Sequence, residues 1–305
     1  MPELPEVETI RKQLDAELTG YTFVSVKTDW QKSFRPSFSV ISEAIVGKEI
    51  ESIDRQAKLL IFHLSGGLEL LFHLKLTGQL LVRKSSAPAD KYVRSVFTLA
   101  LLPGKIRKSA RWAQLQQIQL PELGKRLSEF SRPQGIKELR FADARKFGFV
   151  RLITDKKEME EMLSGFGPEP FKDLTYEKFK EALRSSSRPI KIILLDQGKI
   201  SGLGNIYAND SLWRAQVHPK MPANELTGRK ARQLYEAILE VLTRGLEYGG
   251  ASDQWYVQTH GEKGKYQEHF LVYGRTGEPC DRCRSEIRRI EVGGRGTFFC
   301  PKCQT

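Results

Sequence analysis

Four cysteines crowd into the last 26 residues, spaced Cys280-x2-Cys283-x16-Cys300-x2-Cys303. Two Cys-x2-Cys pairs can close a tetrahedron of thiolates around zinc, with no position left open for substrate. The expected cofactor is therefore one structural zinc ion. Disulfides are the other use of an even cysteine count, but without an export signal a reducing compartment and metal binding are expected. A metal staple also suits a C-terminal hairpin too small for its own core. That hairpin holds Arg288, Arg289 and Arg295, the last between Gly294 and Gly296. Glycines beside an arginine let backbone and guanidinium approach a phosphate together. Taken alone, Arg295 reads first as a solvated arginine in a turn.

The other end of the chain reads Met1-Pro-Glu-Leu-Pro-Glu-Val-Glu-Thr. Methionine before a small residue is usually removed, which would expose Pro2 as a secondary amine. An α-amino group titrates near pH ~8, so an appreciable fraction is unprotonated at neutrality. Attack of such an amine on a sugar C1′ gives an iminium that cannot shed its charge by losing an N–H proton. The cation acidifies the adjacent carbon and favours phosphate elimination. Glu3 could move the protons. The same residues also make an ordinary helix start.

Two further segments carry weaker chemistry. In Lys199-Ile-Ser-Gly-Leu-Gly-Asn205, closely spaced glycines run into a helix start whose free N–H groups can hold an anion or simply form a packing corner. Asn205 can cap that helix or contact a phosphate. Phe141-Ala-Asp-Ala-Arg145-Lys146-Phe147-Gly148 sets basic side chains beside an aromatic ring that can fill a gap in a base stack; a basic strand end is the other reading.

The elements that must position these residues fall into two regions. Val7, Ile10, Leu14 and Leu18 define an amphipathic helix opened by Pro5 and Glu6. Strand patterns follow at 21–28, 59–64, 68–74, 96–102 and 147–153, with Gly66-Gly67 as a hairpin turn. Gly165 to Pro170 reads as a linker. Helices are expected at 175–184, 189–196, 205–215 and 227–248, then a polar loop over 251–267. The formal charge of +12 favours a polyanionic partner, although a merely basic protein would show it too. Residues 103–140 carry nine basic and three acidic side chains and include Trp112. This reads as a basic insertion between strands, solvated or in contact with DNA. No apolar stretch reaches the ~20 residues of a membrane span, and a cytoplasmic location is expected.

Together these features resemble the formamidopyrimidine-DNA glycosylase family, the bacterial repair enzymes for oxidised purines. The N-terminal motif, the Gly-Asn-Ile-Tyr-Ala-Asn turn and the four-cysteine spacing carry the resemblance from residue 2 to residue 303. It implies an α+β multidomain fold: an N-terminal β-sandwich with an N-terminal helix, a helix–two-turns–helix domain, and a four-cysteine zinc-finger hairpin. The expected boundaries are 1–155 for the catalytic sandwich, 172–250 for the helical domain, 251–270 for a loop closing over the lesion, and 271–305 for the zinc finger. By resemblance, Pro2 is the nucleophile, Glu3 the acid, Glu6 a second glutamate held near the site, and Lys58 a catalytic lysine on a hairpin. His73, Asn205 and Arg295 match phosphate-binding positions, and Lys191 matches a lysine of the helical domain, grouped with the DNA contacts. Leu76, Arg145 and Phe147 match three side chains inserted where the base leaves. Leu76 stands where methionine is usual and Lys146 where a second arginine is usual. Residues 90–94 lack a customary histidine, and the basic insertion is not part of the family pattern.

The implied activity is a bifunctional glycosylase and abasic-site lyase of base excision repair, acting as a monomer on double-stranded DNA. An endonuclease VIII-like preference for oxidised pyrimidines is the alternative within the same chemistry, although Leu4 and Val7 favour the purine branch. A zinc-ribbon DNA-binding protein without activity is the alternative outside it. Deleting residues 105–137 tests the insertion. Phosphate contacts there would make the fall of DNA affinity with salt shallower, whereas a solvated insertion leaves that slope unchanged.

Overall fold

The computed structural model describes residues 2–101 and 135–305. Helix α1 (Leu4–Leu18) opens the fold. Glu3 is its N-cap, and the Glu3 backbone N–H donates to the Glu6 carboxylate at 2.8 Å. This satisfies a donor that a helix start would otherwise leave unpaired. Val7, Ile10, Leu14 and Leu18 pack into the core of the first domain, while Leu4, on the same helix, packs into the core of the second.

The first domain is two facing sheets. One has four antiparallel strands in the order β1 (Thr22–Thr28), β7 (Val93–Ala100), β8 (Lys137–Asp143), β6 (Gly78–Lys84). The other is β2 (Phe34–Arg35), β9 (Phe149–Ile153), β5 (Leu68–His73), β4 (Leu59–Leu64), β3 (Ile50–Gln56), with only β2 and β9 parallel. Phe72 of the second sheet lies 5.4 Å from the Phe97 ring and 6.0 Å from the Phe141 ring, both on the first. Face-to-face packing of this kind defines a sandwich. Helix α2 (Phe38–Ile45) adds Ile41 and Ile45 to the core. Helix α3 (Lys156–Ser164) brings Met159 and Met162 onto Leu59, Ile61, Leu71 and Ile153, on the outer face of the five-stranded sheet.

One expectation is corrected here. Residues 137–140 are not insertion but part of β8, a central strand registered against both β6 and β7. Leu139 and Phe141 alternate inward, but Arg140 is only 5% exposed and carries a charge into the sheet. Asp90 and Glu138 neutralise it at 3.0 and 2.7 Å. A paired, buried arginine hid the strand. Residues 102–134, with Trp112 and the rest of the basic segment, lie outside the described residues.

The second domain is helical: α4 (Tyr176–Arg184), α5 (Ile190–Leu195), α6 (Asn205–Arg214) and α7 (Gly228–Glu247). Their apolar faces meet in one core with Tyr207 and Tyr266. The final hairpin, β10 (Arg288–Val292) with β11 (Arg295–Phe299), sits on that domain through Trp213, which packs with Val272, Cys280, Ile287 and Cys300. Among the described residues no helix is long and apolar enough to cross a membrane.

A buried polar clamp fastens the 165–170 segment to the turn between β3 and β4. Glu169, fully buried, accepts from the Arg55 guanidinium at 2.6 Å and from the Ala57 backbone N–H at 2.6 Å. Arg55 also donates to Glu8 of α1 at 2.9 Å. Removing one partner of a buried pair leaves an uncompensated charge. Glu169→Ala should therefore lower stability by on the order of 3 kcal/mol, measured by urea unfolding.

Candidate active site

The two domains meet around the first turn of α1. Pro2, Glu3 and Glu6 are all buried there. The Glu3 carboxylate lies over the N-terminus of α6, accepting from the Ile206 backbone N–H at 2.8 Å and the Tyr207 N–H at 3.4 Å. Free N–H groups and the helix dipole favour negative charge at that place. Glu6 accepts from the Tyr207 hydroxyl at 2.6 Å and the Ala251 N–H at 2.7 Å. Two glycines make room for these carboxylates. A Cβ on Gly204 would lie 2.3 Å from the Glu3 carboxyl carbon, and one on Gly250 would lie 2.8 Å from Glu6 Cγ. The glycines of the 199–205 segment thus serve close approach, a use that spacing alone did not distinguish from a packing corner.

Lys58 enters from the β3–β4 turn, almost fully buried, and its ammonium donates to the Leu203 carbonyl at 2.9 Å. Burial lowers its pKa, against the pull of Glu3 and Glu6. Burial pushes the Glu3 carboxyl up to about 7; the Lys58 charge opposes this and the Glu6 charge adds to it. A carboxyl that still holds its proton near neutrality can act as a general acid. An ammonium whose charge is opposed by burial can take part in proton transfer beside it.

A cavity of about 350 Å³ opens over this group. Glu3, Lys58, Leu76, Asn205 and Arg295 line it together, so the structure gathers five of the residues singled out above. Ala251, Asp253, Gln254, Trp255 and Tyr256 form another wall, which places the first part of the 251–267 loop over the cavity. His73 lies outside the lining, at the end of β5. The Lys75 backbone N–H donates to its Nδ1 at 3.0 Å, which assigns the ring proton to Nε2. Burial, with Lys75 and Lys58 close by, lowers its pKa to about 3. His73 is therefore neutral and presents a neutral N–H donor.

Arg145 and Phe147 project from the β8–β9 turn. Phe147 is 51% exposed, and the Arg145 guanidinium carbon lies 4.9 Å from its ring centre. Lys191 is placed differently from what a DNA contact requires. It is fully buried, and its ammonium donates to Gly296 O at 2.9 Å, Thr297 Oγ1 at 2.7 Å and Asn209 Oδ1 at 3.3 Å. Three acceptors match the three donors of an ammonium, leaving none for a phosphate. Burial, against the pull of Glu3, lowers its pKa to about 7. Asn205 also donates to Gly296 O, at 3.1 Å. Both residues hold the Arg295 turn over the cavity. Sequence reasoning did not single out Tyr207, Asn209 or Ala251; only the position of the first two within the Gly-Asn-Ile-Tyr-Ala-Asn turn pointed toward them.

The four cysteine Sγ atoms lie within 4.8 Å of one another. The Trp213 indole N–H donates to Cys280 Sγ at 3.3 Å and the Cys303 N–H to Cys300 Sγ at 3.4 Å. N–H donors aimed at sulfur favour thiolates, and four thiolates so gathered fit one zinc ion.

Comparison with known proteins agrees with this geometry. Residues 1–150 match the family described as formamidopyrimidine-DNA glycosylase N-terminal domain, and 166–256 the formamidopyrimidine-DNA glycosylase H2TH domain. Residues 277–305 match the zinc finger found in FPG and IleRS. The chain is 39% identical over 306 residues to formamidopyrimidine-DNA glycosylase of Chloroflexus aurantiacus, covering 100% of this chain and 98% of that one. It is 36% identical to the Bacillus licheniformis protein of the same name, covering 100% and 99%. Its fold matches Lactococcus lactis Fpg in complex with abasic-site DNA, with a TM-score of 0.83, 33% identity and 99% of each chain covered. It likewise matches the same protein bound to DNA containing an oxidised pyrimidine, with a TM-score of 0.82, 33% identity and 100% of each chain covered.

The metal assignment predicts one equivalent of zinc in the protein as purified. Cys283→Ser should lose that metal to a mild chelator far sooner and melt at lower temperature, checked by metal analysis and thermal unfolding.

Proposed function

The chain belongs to the formamidopyrimidine-DNA glycosylase family, and from that premise we propose that it excises oxidised bases from duplex DNA and cuts the strand through Pro2. The observation that carries this reading is a buried, proton-holding Glu3, next to Pro2 in the chain, that lines with Lys58 a cavity large enough for an extruded base.

With Met1 removed, the Pro2 nitrogen attacks C1′, and the glycosidic bond breaks as the base leaves with a proton. Glu3 protonates the ring oxygen, the sugar opens, and an iminium joins C1′ to Pro2. Loss of a C2′ proton then expels the 3′ phosphate. A second elimination expels the 5′ phosphate, leaving a one-nucleotide gap. Lys58 supports the charge changes around Glu3. His73, Asn205 and Arg295 hold phosphates of the flipped nucleotide, while Leu76, Arg145 and Phe147 fill the space it vacates. Lys191 acts through the zinc hairpin, keeping Arg295 in place. The zinc serves this hairpin and no reaction step. The proposed active form is a monomer, working in the cytoplasm with the chromosome.

Oxidised purines are the proposed preference. The Lactococcus relative, solved with an oxidised pyrimidine in its DNA, keeps pyrimidine lesions as the second reading. Parallel duplexes carrying 8-oxoguanine or an oxidised pyrimidine decide between them.

Borohydride added during turnover of an 8-oxoguanine duplex should trap a covalent adduct that peptide mapping places on Pro2. Protein that retains Met1 should neither form it nor cut. No adduct, or an undiminished adduct on another residue in Pro2→Gly, would falsify the proline mechanism. The Glu3 pKa sets an alkaline limit: excision should fall as pH rises through about 7, because the acid is lost there. The Glu6 charge raises the Glu3 pKa, so Glu6→Gln should move that falling limb to lower pH, read in single-turnover rates.

A further inference from the structure

Asp143 ends β8, and none of its surface reaches solvent. Its Oδ1 accepts from the Thr77 hydroxyl and from the Arg145 backbone N–H at 3.1 Å. Its Oδ2 accepts from the backbone N–H groups of Phe147 at 2.9 Å and Gly148 at 2.8 Å. Thr77 Oγ1 in turn accepts from the Arg145 N–H at 3.0 Å. All four donors to the carboxylate are neutral, and they come from two separate turns. One turn, between β5 and β6, carries Leu76 beside Thr77. The other, between β8 and β9, carries Arg145 and Phe147. Both are tight. Lys75 and Lys146 have φ of 51° and 57°, and a Cβ on Gly148 would lie 2.5 Å from Phe141 Cζ.

We infer that Asp143 is a positioning residue for base extrusion: one buried carboxylate fixes the Leu76 turn and the Arg145–Phe147 turn relative to each other, so that all three side chains enter the duplex as one wedge. This rests on the function proposed above. The physical case is entropic. An exposed phenyl ring and a guanidinium on a free turn would lose backbone and rotamer freedom on entering a base stack. A turn already pinned at the backbone N–H groups of Arg145, Phe147 and Gly148 has lost that freedom before DNA binds. Only a carboxylate can serve, because both oxygens must accept. An amide would aim its N–H2 at one pair of donors.

The wedge matters most where a base must be unstacked, and least at an abasic site, which has no base to extrude. This separates positioning from general damage. In Asp143→Asn, single-turnover excision of 8-oxoguanine should fall roughly tenfold or more, while borohydride trapping on an abasic duplex should fall by no more than about threefold. Thr77→Val keeps the buried volume but cuts the hydroxyl link, and should shift the same ratio in the same direction by less. A 2-aminopurine beside the lesion should brighten less on binding either variant, reporting incomplete unstacking. Equal losses on both duplexes, or no loss on either, overturn the inference. Should Asp143→Asn fail to fold by thermal melting, the same ratio in Thr77→Val decides alone. Wild-type protein that cuts neither duplex would instead overturn the proposed function, so the two failures are distinguishable.

Discussion

Two carboxylates are buried side by side at the junction of two hydrophobic cores, and the arrangement of the site follows from accommodating them. Burying Glu3 and Glu6 without partners would cost several kcal/mol. The fold meets that cost with the N-terminus of α6, the Tyr207 hydroxyl, the Ala251 N–H and the ammonium of Lys58. These groups come from three separate parts of the chain: α6, residue 251 and the β3–β4 turn. Satisfying the pair therefore obliges the sandwich, the helical domain and the 251–256 loop to converge on one point. Gly204 and Gly250 are the steric side of the same requirement, since a methyl group at either would occupy carboxylate space.

The convergence is repeated by polar clamps farther out. Glu169 and Arg55 tie the interdomain segment to the turn that carries Lys58. Lys191 and Asn209 tie the cysteine hairpin to the helical domain, with the Phe298 N–H donating to Asn209 at 2.9 Å. Asp210 does the same for the entry to that hairpin, accepting from the backbone of Leu271, Val272 and Tyr273. Apolar packing makes each domain stable. These charged and amide groups set where one domain sits against the next, because their hydrogen bonds are directional and their burial penalises any misfit.

Much of the architecture was legible in the sequence because it depends on local pattern. The spacing of Val7, Ile10, Leu14 and Leu18 defines α1, and the cysteine spacing anticipates the metal cluster. Strand β8 was not legible, because the partners that let Arg140 be buried include Asp90 and the Ala87 and Pro88 carbonyls, some 50 residues earlier. For the site, residue types at Pro2 and Glu3 could supply a nucleophile and an acid, but alone they read first as a helix start; the resemblance overturned that reading. The depth of Glu3 depends on Gly204, two hundred residues away, and cannot be inferred from the first turn. Lys191 illustrates the opposite case. As a residue type in a helical DNA-binding domain it suggests a phosphate contact, yet its three acceptors lie inside the protein. Which way a lysine faces is decided by tertiary structure, not by its neighbours in sequence.

Helix α1 contributes Leu4 to one core and Val7 through Leu18 to the other. The seam between the domains thus crosses the chain within the helix's first turn, next to Pro2. A tilt of one domain against the other that kept both sets of α1 contacts would pivot close to that seam. Displacement grows with distance from a pivot, so the Pro2 nitrogen sits where such a motion moves atoms least. Loops farther from the seam can travel while the start of the chain stays still.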